Sequence, residues 1–360
     1  MKVLFAGGGS GGHIYPAIAI ADYLKSKEKD LEILFIGTKR GLETKLIPDA
    51  GYNIEFIDIE GFNRKKLLKN ISVLKKLIIS RIKCKKIIKE FKPDFVIATG
   101  GYVSGPVIMA AKSCKIPSLI HEQNVFPGLT VKGSSKYVKH IAVSFEETIN
   151  HLDKNKCILT GNPVRNEFFE IEKEKTRKEL NIEKPFVLIF GGSLGATKIN
   201  ETVINMFKNM PNHDFQILFA TGNKNYDTVM TQVKELNINL DANTTIVPYI
   251  DNMQQMMTVA DLVICRSGAI TLSELSALGK PSILIPSPNV VRNHQEQNAR
   301  EFEDKNAAKV ITEKDLNSDT LYNSITELLN NKEQLDIMSK NVRKFAQKDA
   351  LEKIYRIVKN

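Results

Sequence analysis

No apolar run in the 360-residue sequence approaches the roughly 18 residues that a membrane-spanning helix requires. The first strand-like run, residues 2–6, meets glycine too soon to serve as a secretory signal, so the sequence reads as that of a cytosolic protein. Cysteine is scarce: Cys84, Cys114, Cys157 and Cys265 are dispersed with no CxxC pair, which suits a reducing compartment and argues against structural zinc. No glycine loop ends in Gly-Lys-Ser/Thr, which removes a P-loop nucleotide hydrolase. Asp-x-Asp is absent and the six histidines fit no ligand spacing, so a metal-free chemistry is expected.

What is present is an ordinary globular composition, 42% hydrophobic and 26% charged, with 51 Lys and Arg against 41 Asp and Glu for a net charge of +10. The length exceeds what one core usually fills, which predicts two domains with a cleft between them. Short apolar runs at 3–6, 33–36, 95–98 and 118–120 alternate with amphipathic ones at 16–26 and 106–113, the pattern of parallel βαβ units. The run FVLIFGGSLGA near residue 190 echoes the opening VLFAGGGSGGH half a chain earlier, so two similar α/β domains are expected. The predicted boundaries are 1–163 and 164–342, with 343–360 a closing helix that crosses back to the first domain; the spacing from 341 to 358 is helical throughout.

Most of the surplus positive charge lies at 63–92, where twelve Lys and Arg accompany a single acid, Glu90. Leu67, Ile71, Leu74, Ile78 and Ile82 make a complete helical stripe, predicted to face the core, with Leu68, Leu77 and Ile79 left over. The segment is either a solvated helix with one core stripe or a basic amphipathic surface lying on anionic lipid. Nucleic acid is disfavoured, because aromatics are few there and no nucleic-acid motif accompanies it.

Gly7, Gly9 and Gly12 satisfy GxGxxG between a strand and a helix. A dinucleotide site also wants an acid at the end of the second strand, yet 33–36 runs into Gly37-Thr38 and 216–220 into Thr221-Gly222. The glycines then offer backbone N–H groups to a phosphate or a nearby sugar. A better phosphate candidate is the strand 260–265, the turn 266–269 and the helix from Ile270, whose first amides, at Ala269 to Thr271, would point at an anion. Glu274 there is either a ribose-binding carboxylate or an acid that only compensates the helix dipole. Past the strand 282–286, Gln295 and Asn298 lie in a carboxamide-rich loop suited to hydroxyls.

His140, His151 and His213 read as surface residues, whereas His13, His121 and His294 fall at strand-to-helix loops. His13 follows the glycine loop at the carboxyl edge of the first sheet, as a base for an alcohol or as a structural hydrogen-bonder.

Seven motifs go beyond this generic logic: GGGSGGHIYPA at 7–17, TGGYVSGP at 99–106, HEQN at 121–124, TGNPVR at 160–165, GGSLGA at 191–196, CRSGAITLSEL at 265–275 and HQEQNA at 294–299. In this order they resemble glycosyltransferase family 28, and within it the transferases that add N-acetylglucosamine to lipid I in peptidoglycan synthesis. The resemblance implies a GT-B fold, two Rossmann-like domains with parallel sheets facing across a deep cleft, acceptor in the first and UDP-N-acetylglucosamine mainly in the second. It implies inversion without metal or cofactor. His13 then becomes the general base, Glu122 and Asn124 face the acceptor and the transferred sugar, and Ser10, Gly11 and Gly12 lie against the donor. Arg165 and Ser193 fall near the diphosphate, Ile250 holds uracil through its backbone, Ala269, Ile270, Thr271, Leu272, Ser273 and Glu274 form the diphosphate helix and ribose clamp, and Gln295 meets sugar hydroxyls.

Ser10 stands where the family often has threonine, and Leu194 and Thr197 where many members are polar or basic. The partners implied are lipid I, anionic inner-leaflet phospholipids through 63–92 and a cell-wall assembly, at the cytoplasmic face of the membrane. A glycolipid synthase using diacylglycerol would not be expected to carry HEQN, and intact His13, Glu122 and Glu274 argue against a non-catalytic UDP-sugar sensor.

Overall fold

The computed structural model describes residues 1–61, 69–164, 168, 171–192, 195–210 and 212–360. They form two compact units, Met1–Val164 with Gln347–Asn360, and Arg165–Ala346.

The first unit holds strands β1 (Lys2–Gly7), β2 (Glu32–Thr38), β3 (Asn53–Ile57), β4 (Phe95–Gly100), β5 (Ser118–Glu122), β6 (His140–Val143) and β7 (Cys157–Leu159). Its helices are α1 (Gly11–Lys27), α2 (Glu43–Asp49), α3 (Lys69–Phe91), α4 (Ser104–Ser113), α5 (Leu129–Ser134), α6 (Glu146–Ile149) and the last of the chain, α15 (Ala350–Lys359). All strand pairs are parallel, in the order β3-β2-β1-β4-β5-β6-β7. Val3 to Ala6 and Phe95 to Ala98 are unbroken apolar runs because helices cover both faces of the sheet. Leu4 and Ala6 pack with Cys84, Ile87 and Ile88 of α3 and Val107 and Ile108 of α4, while Val3 and Phe5 pack with α1 and α15 on the other face.

The core face of α3 is the opposite of the one expected. Val73, Ser80, Cys84, Ile87 and Ile88 are buried, whereas Leu74 and Ile78, taken for core, are exposed, and Ile79 and Ile82 are both 66% exposed. Leu77 packs against the core. The segment carries two apolar stripes, and the more mixed one, which includes Ser80 and Cys84, meets the sheet. Leu67 and Leu68 lie outside the described residues.

The second unit holds strands β8 (Phe186–Phe190), β9 (Gln216–Ala220), β10 (Thr244–Val247), β11 (Leu262–Cys265), β12 (Ser282–Leu284) and β13 (Lys309–Val310). Its helices are α7 (Lys173–Glu179), α8 (Thr197–Asn209), α9 (Tyr226–Glu235), α10 (Met253–Val259), α11 (Ala269–Leu278), α12 (His294–Glu303), α13 (Ser318–Leu329) and α14 (Lys332–Arg343). The strand order β10-β9-β8-β11-β12-β13 repeats that of the first sheet, again all parallel.

Residues 341–358 are not one helix. Helix α14 ends at Arg343, the Phe345 ring stacks on Phe302 of α12 at 4.2 Å between centroids, and a new helix starts at Ala350. Ring burial outweighs the propensity of a few residues to continue a helix. Helix α15 buries Ile354, Ile357 and Val358 in the first unit's core, worth about 1.5–3 kcal/mol each. Tyr23 donates to Glu352 (2.8 Å) and Tyr355 to Glu28 (2.7 Å), which fixes its register on α1.

Candidate functional site

In each sheet the chain first runs one way from the central strand and then returns to its other side, so order reverses between β1 and β4 and between β8 and β11. Ligands of open parallel sheets bind beyond the carboxyl ends of such strands.

At the first reversal, β1 and β4 shift register after Ala6, leaving Thr99 as an extra residue that turns the chain. The Thr99 hydroxyl donates to the His13 carbonyl (2.7 Å), and Gly100 follows with φ +109°. A side chain at Gly100 would lie 2.6 Å from His13 Nδ1, so both backbone shape and close approach demand glycine. His13 sits in the first turn of α1, not in a loop, with its N–H bonded to the Ser10 carbonyl (3.1 Å). Ser10 is the exposed N-cap residue of α1; its side chain makes no capping bond, and Gly11 and Gly12 begin the helix.

Behind His13 runs a chain of buried side chains. His13 Nδ1 lies 3.1 Å from Gln123 Oε1. Gln123 Nε2 donates to the Thr99 carbonyl (2.8 Å) and lies 2.9 Å from His121 Nδ1, and His121 Nε2 lies 3.0 Å from the Gly161 carbonyl. His121 is therefore a strand residue of β5 with no exposure, not a loop residue, and burial pushes its pKa down to about 4. Asn162 of TGNPVR donates to the Gln123 carbonyl (3.0 Å), tying two sequence motifs together.

Glu122 is also buried, its Oε1 accepting from Asn124 N (2.9 Å) and Nδ2 (3.1 Å) and its Oε2 from Gly128 N (2.8 Å). Burial raises its carboxyl above the usual range, and the Asn124 and Gly128 N–H groups act against that rise. The carboxylate thus shapes the loop 123–128 and presents Asn124.

Sequence reasoning found no acid at the end of the second strand, but Glu43 of α2 reaches it. Its Oε1 accepts from Thr38 N (3.0 Å) and Oγ1 (2.8 Å), and its Oε2 from Gly9 N (2.9 Å). Fully buried and engaged by three donors, Glu43 holds the glycine turn itself and has no edge to offer a ribose. Five residues separate it from Thr38, which hides it from a search at the strand end.

At the second reversal, α11 starts at Ala269 with Gly268 as N-cap, a residue with no side chain to occupy the first amides. Leu272 is buried and faces the core, and its N–H is bonded to the Gly268 carbonyl (3.0 Å), so it completes the helix and does not present a group to a ligand; Ile270, Thr271, Ser273 and Glu274 are partly exposed. Ser267 Oγ donates to the Gln295 carbonyl (2.7 Å), and Gln295 Oε1 accepts from Ser287 N (2.9 Å), so toward a ligand this side chain presents amide hydrogens. Asn298 is fully buried with Nδ2 on the Ser267 carbonyl (3.3 Å); it pins the turn instead of meeting hydroxyls. Ile250 is buried between β10 and α10. His294 opens α12.

Asn200 of α8 was not singled out from sequence. Buried beside the turn after β8, it donates to the Thr221 carbonyl (3.0 Å) while its Oδ1 has no hydrogen-bond partner among the described residues. A buried amide on the apolar side of an amphipathic helix was the available signal. His213, read as a surface residue, is buried, with Nδ1 2.6 Å from the Phe215 carbonyl and its ring stacked on Phe215. Arg165, Ser193 and Leu194 lie outside the described residues.

Two doubly wound parallel units of one strand order are the GT-B fold. The glycosyltransferase family 28 N-terminal domain matches residues 3–143 and the family 28 C-terminal domain residues 186–354. Over all of this chain and 98% of its own length, a protein of Acetivibrio thermocellus is 49% identical and is named UDP-N-acetylglucosamine--N-acetylmuramyl-(pentapeptide) pyrophosphoryl-undecaprenol N-acetylglucosamine transferase. One of Thermoanaerobacter sp. strain X514 bears the same name at 48% identity, with both chains fully covered. The crystal structure of Acinetobacter baumannii MurG superposes with a TM-score of 0.80 at 28% identity, covering 99% of each chain. The chain belongs to glycosyltransferase family 28.

Proposed function

We propose that this protein transfers N-acetylglucosamine from UDP-N-acetylglucosamine to the 4-hydroxyl of lipid I, the undecaprenyl-pyrophosphoryl N-acetylmuramoyl-pentapeptide, and so forms lipid II. The observation that carries the reading is the full-length likeness, at 44–49% identity, to transferases of that name. In this reading His13 takes the proton of the attacking hydroxyl while Glu122, through the loop it shapes, sets Asn124 against the sugar. Negative charge growing on the UDP leaving group is met by the first amides of α11 and by Arg165, which stabilise it without a metal. Glu274 binds the ribose hydroxyls, the Ile250 backbone the uracil, Ser193 the diphosphate, Gln295 the sugar hydroxyls, and Ser10, Gly11 and Gly12 lie against the sugar end of the donor. Attack from the face opposite UDP inverts the anomeric carbon. The described residues contain no group of three or more His, Cys, Asp or Glu able to hold a metal ion.

No helix among the described residues is long and apolar enough to cross a membrane, so a polyprenyl-linked acceptor must be met at the bilayer surface. The exposed face of α3 suits such a meeting, because Leu74, Ile78, Ile79 and Ile82 stand beside exposed Lys75, Lys83, Lys85 and Lys86. Lys76, engaged by Asp58 and Glu60, contributes less, and Lys86 shares its charge with Glu90 at 3.7 Å. In this reading the protein is peripheral at the cytoplasmic face, in reach of a cell-wall assembly. Incubation with radiolabelled UDP-N-acetylglucosamine and a short-chain lipid I should give labelled lipid II, and none with diacylglycerol; label on diacylglycerol alone would overturn the acceptor.

A further inference from the structure

The hydrogen bonds behind His13 leave no freedom in where its ring proton sits. Gln123 Nε2 faces two backbone carbonyls, Thr99 at 2.8 Å and His121 at 3.2 Å, and a carbonyl can only accept. The amide therefore cannot flip, and its oxygen must be the atom 3.1 Å from His13 Nδ1. An amide oxygen accepts, so His13 Nδ1 donates. The other end closes the same way: the Gly161 carbonyl accepts from His121 Nε2 (3.0 Å), which leaves His121 Nδ1 as an acceptor for the Gln123 amide at 2.9 Å. Full burial keeps His121 neutral, and Gln123 is 3% exposed, so water does not compete for these bonds.

We propose that Gln123, anchored by His121, is a positioning residue that holds the proton of the His13 ring on Nδ1 and the basic lone pair on Nε2. The assignment deepens the reading of His13 as general base and rests on it. An acceptor at Nδ1 stabilises the imidazolium as it forms, as a carboxylate does in other catalytic histidines, but a neutral amide adds no charge beside a substrate rich in phosphate.

Nitrogen NMR of protein labelled with [15N]histidine, at mildly alkaline pH and without substrate, reads the ring directly; the His13→Ala spectrum identifies its signals. In the wild type Nε2 should carry the pyridine-like shift and Nδ1 the shift of a protonated nitrogen. In Gln123→Leu the Nε2–H form should appear, with kcat roughly 10²-fold lower and UDP affinity unchanged. Gln123→Glu, protonated on the oxygen that faces the Thr99 carbonyl, keeps an acceptor oxygen toward His13 and should restore the Nδ1–H form and recover part of the turnover, an effect that packing alone would not produce. A wild-type ring protonated on Nε2, or full turnover in Gln123→Leu, overturns the proposal. If neither variant folds, the wild-type spectrum decides. A protein with the Nδ1–H ring that leaves lipid I unglycosylated would defeat the proposed substrate and not the proton's assignment.

Discussion

The two units share a strand order but furnish their reversal points with opposite chemistry. In the first, the Gly9 amide is given to a buried carboxylate of the chain, Glu43, and the nearest functional groups are a histidine and its neutral partners. In the second, the turn after β11, on the other side of the reversal, leads into α11, whose N-cap Gly268 has no side chain, and the partly exposed Glu274 stands a turn further on. A carboxylate of the chain that already holds one glycine turn repels a phosphate, whereas the positive end of a helix dipole attracts one. In the proposed reading the same backbone then serves protons and hydroxyls at one site and a diphosphate at the other. A shared fold fixes where ligands go, and a few side chains decide which.

Substitutions in the two units should accordingly separate chemistry from donor binding. The largest effect is expected for His13→Ala, which should lower kcat by roughly 10²–10⁴-fold in steady-state assays and leave the Kd for UDP unchanged. Near-normal turnover would demote His13 to a structural role. Next comes the face of α3 proposed to meet lipid: Lys75, Lys83, Lys85 and Lys86 changed together to Gln should weaken sedimentation with anionic vesicles by about 10²–10³-fold, at ~1 kcal/mol per charge. Activity on a short-chain, detergent-soluble acceptor should survive. Binding that persists in this variant, or is as strong on neutral vesicles in high salt, would exclude electrostatic docking.

The relay also makes the first unit acid-sensitive. His121 titrates at about 4 in the folded chain and near 6.5 when unfolded, so between these values the unfolded state binds the extra proton. Its contribution is complete above ~6.5 and is lost as pH falls toward ~4, up to about 3 kcal/mol. Urea unfolding should show that loss in the wild type and a flatter acid limb in His121→Asn; parallel limbs would clear this histidine. The smallest effect is Glu274→Gln, which should cost about 1.5–3 kcal/mol of donor affinity through the ribose bonds. The acceptor KM should stay constant, and an unchanged donor KM would move the ribose elsewhere.

Apolar runs and glycine turns made both sheets legible, because strands buried on two faces have few alternatives. Periodicity could not say which of the two apolar stripes on α3 meets the core, since both recur at helical spacing and the more apolar one is the exposed one. Within HEQN, the charged Glu122 drew attention by residue type, yet its carboxylate is engaged by its own loop. Gln123 and His121 acquire their meaning from backbone carbonyls at Thr99 and Gly161, distant in sequence and without a side-chain signature. Glu43 was missed because it reaches the strand end from a helix five residues past Thr38, and His213 because a stacked, buried histidine reads locally like an exposed one.

Titration with UDP while following backbone amide and isoleucine methyl NMR signals tests the division between the units most directly. UDP should shift Ile250 and residues 269–274 and leave Gly9 and His13 unmoved. Saturable shifts centred on the turn 7–12, with Ile250 and Thr271 unaffected, would contradict it.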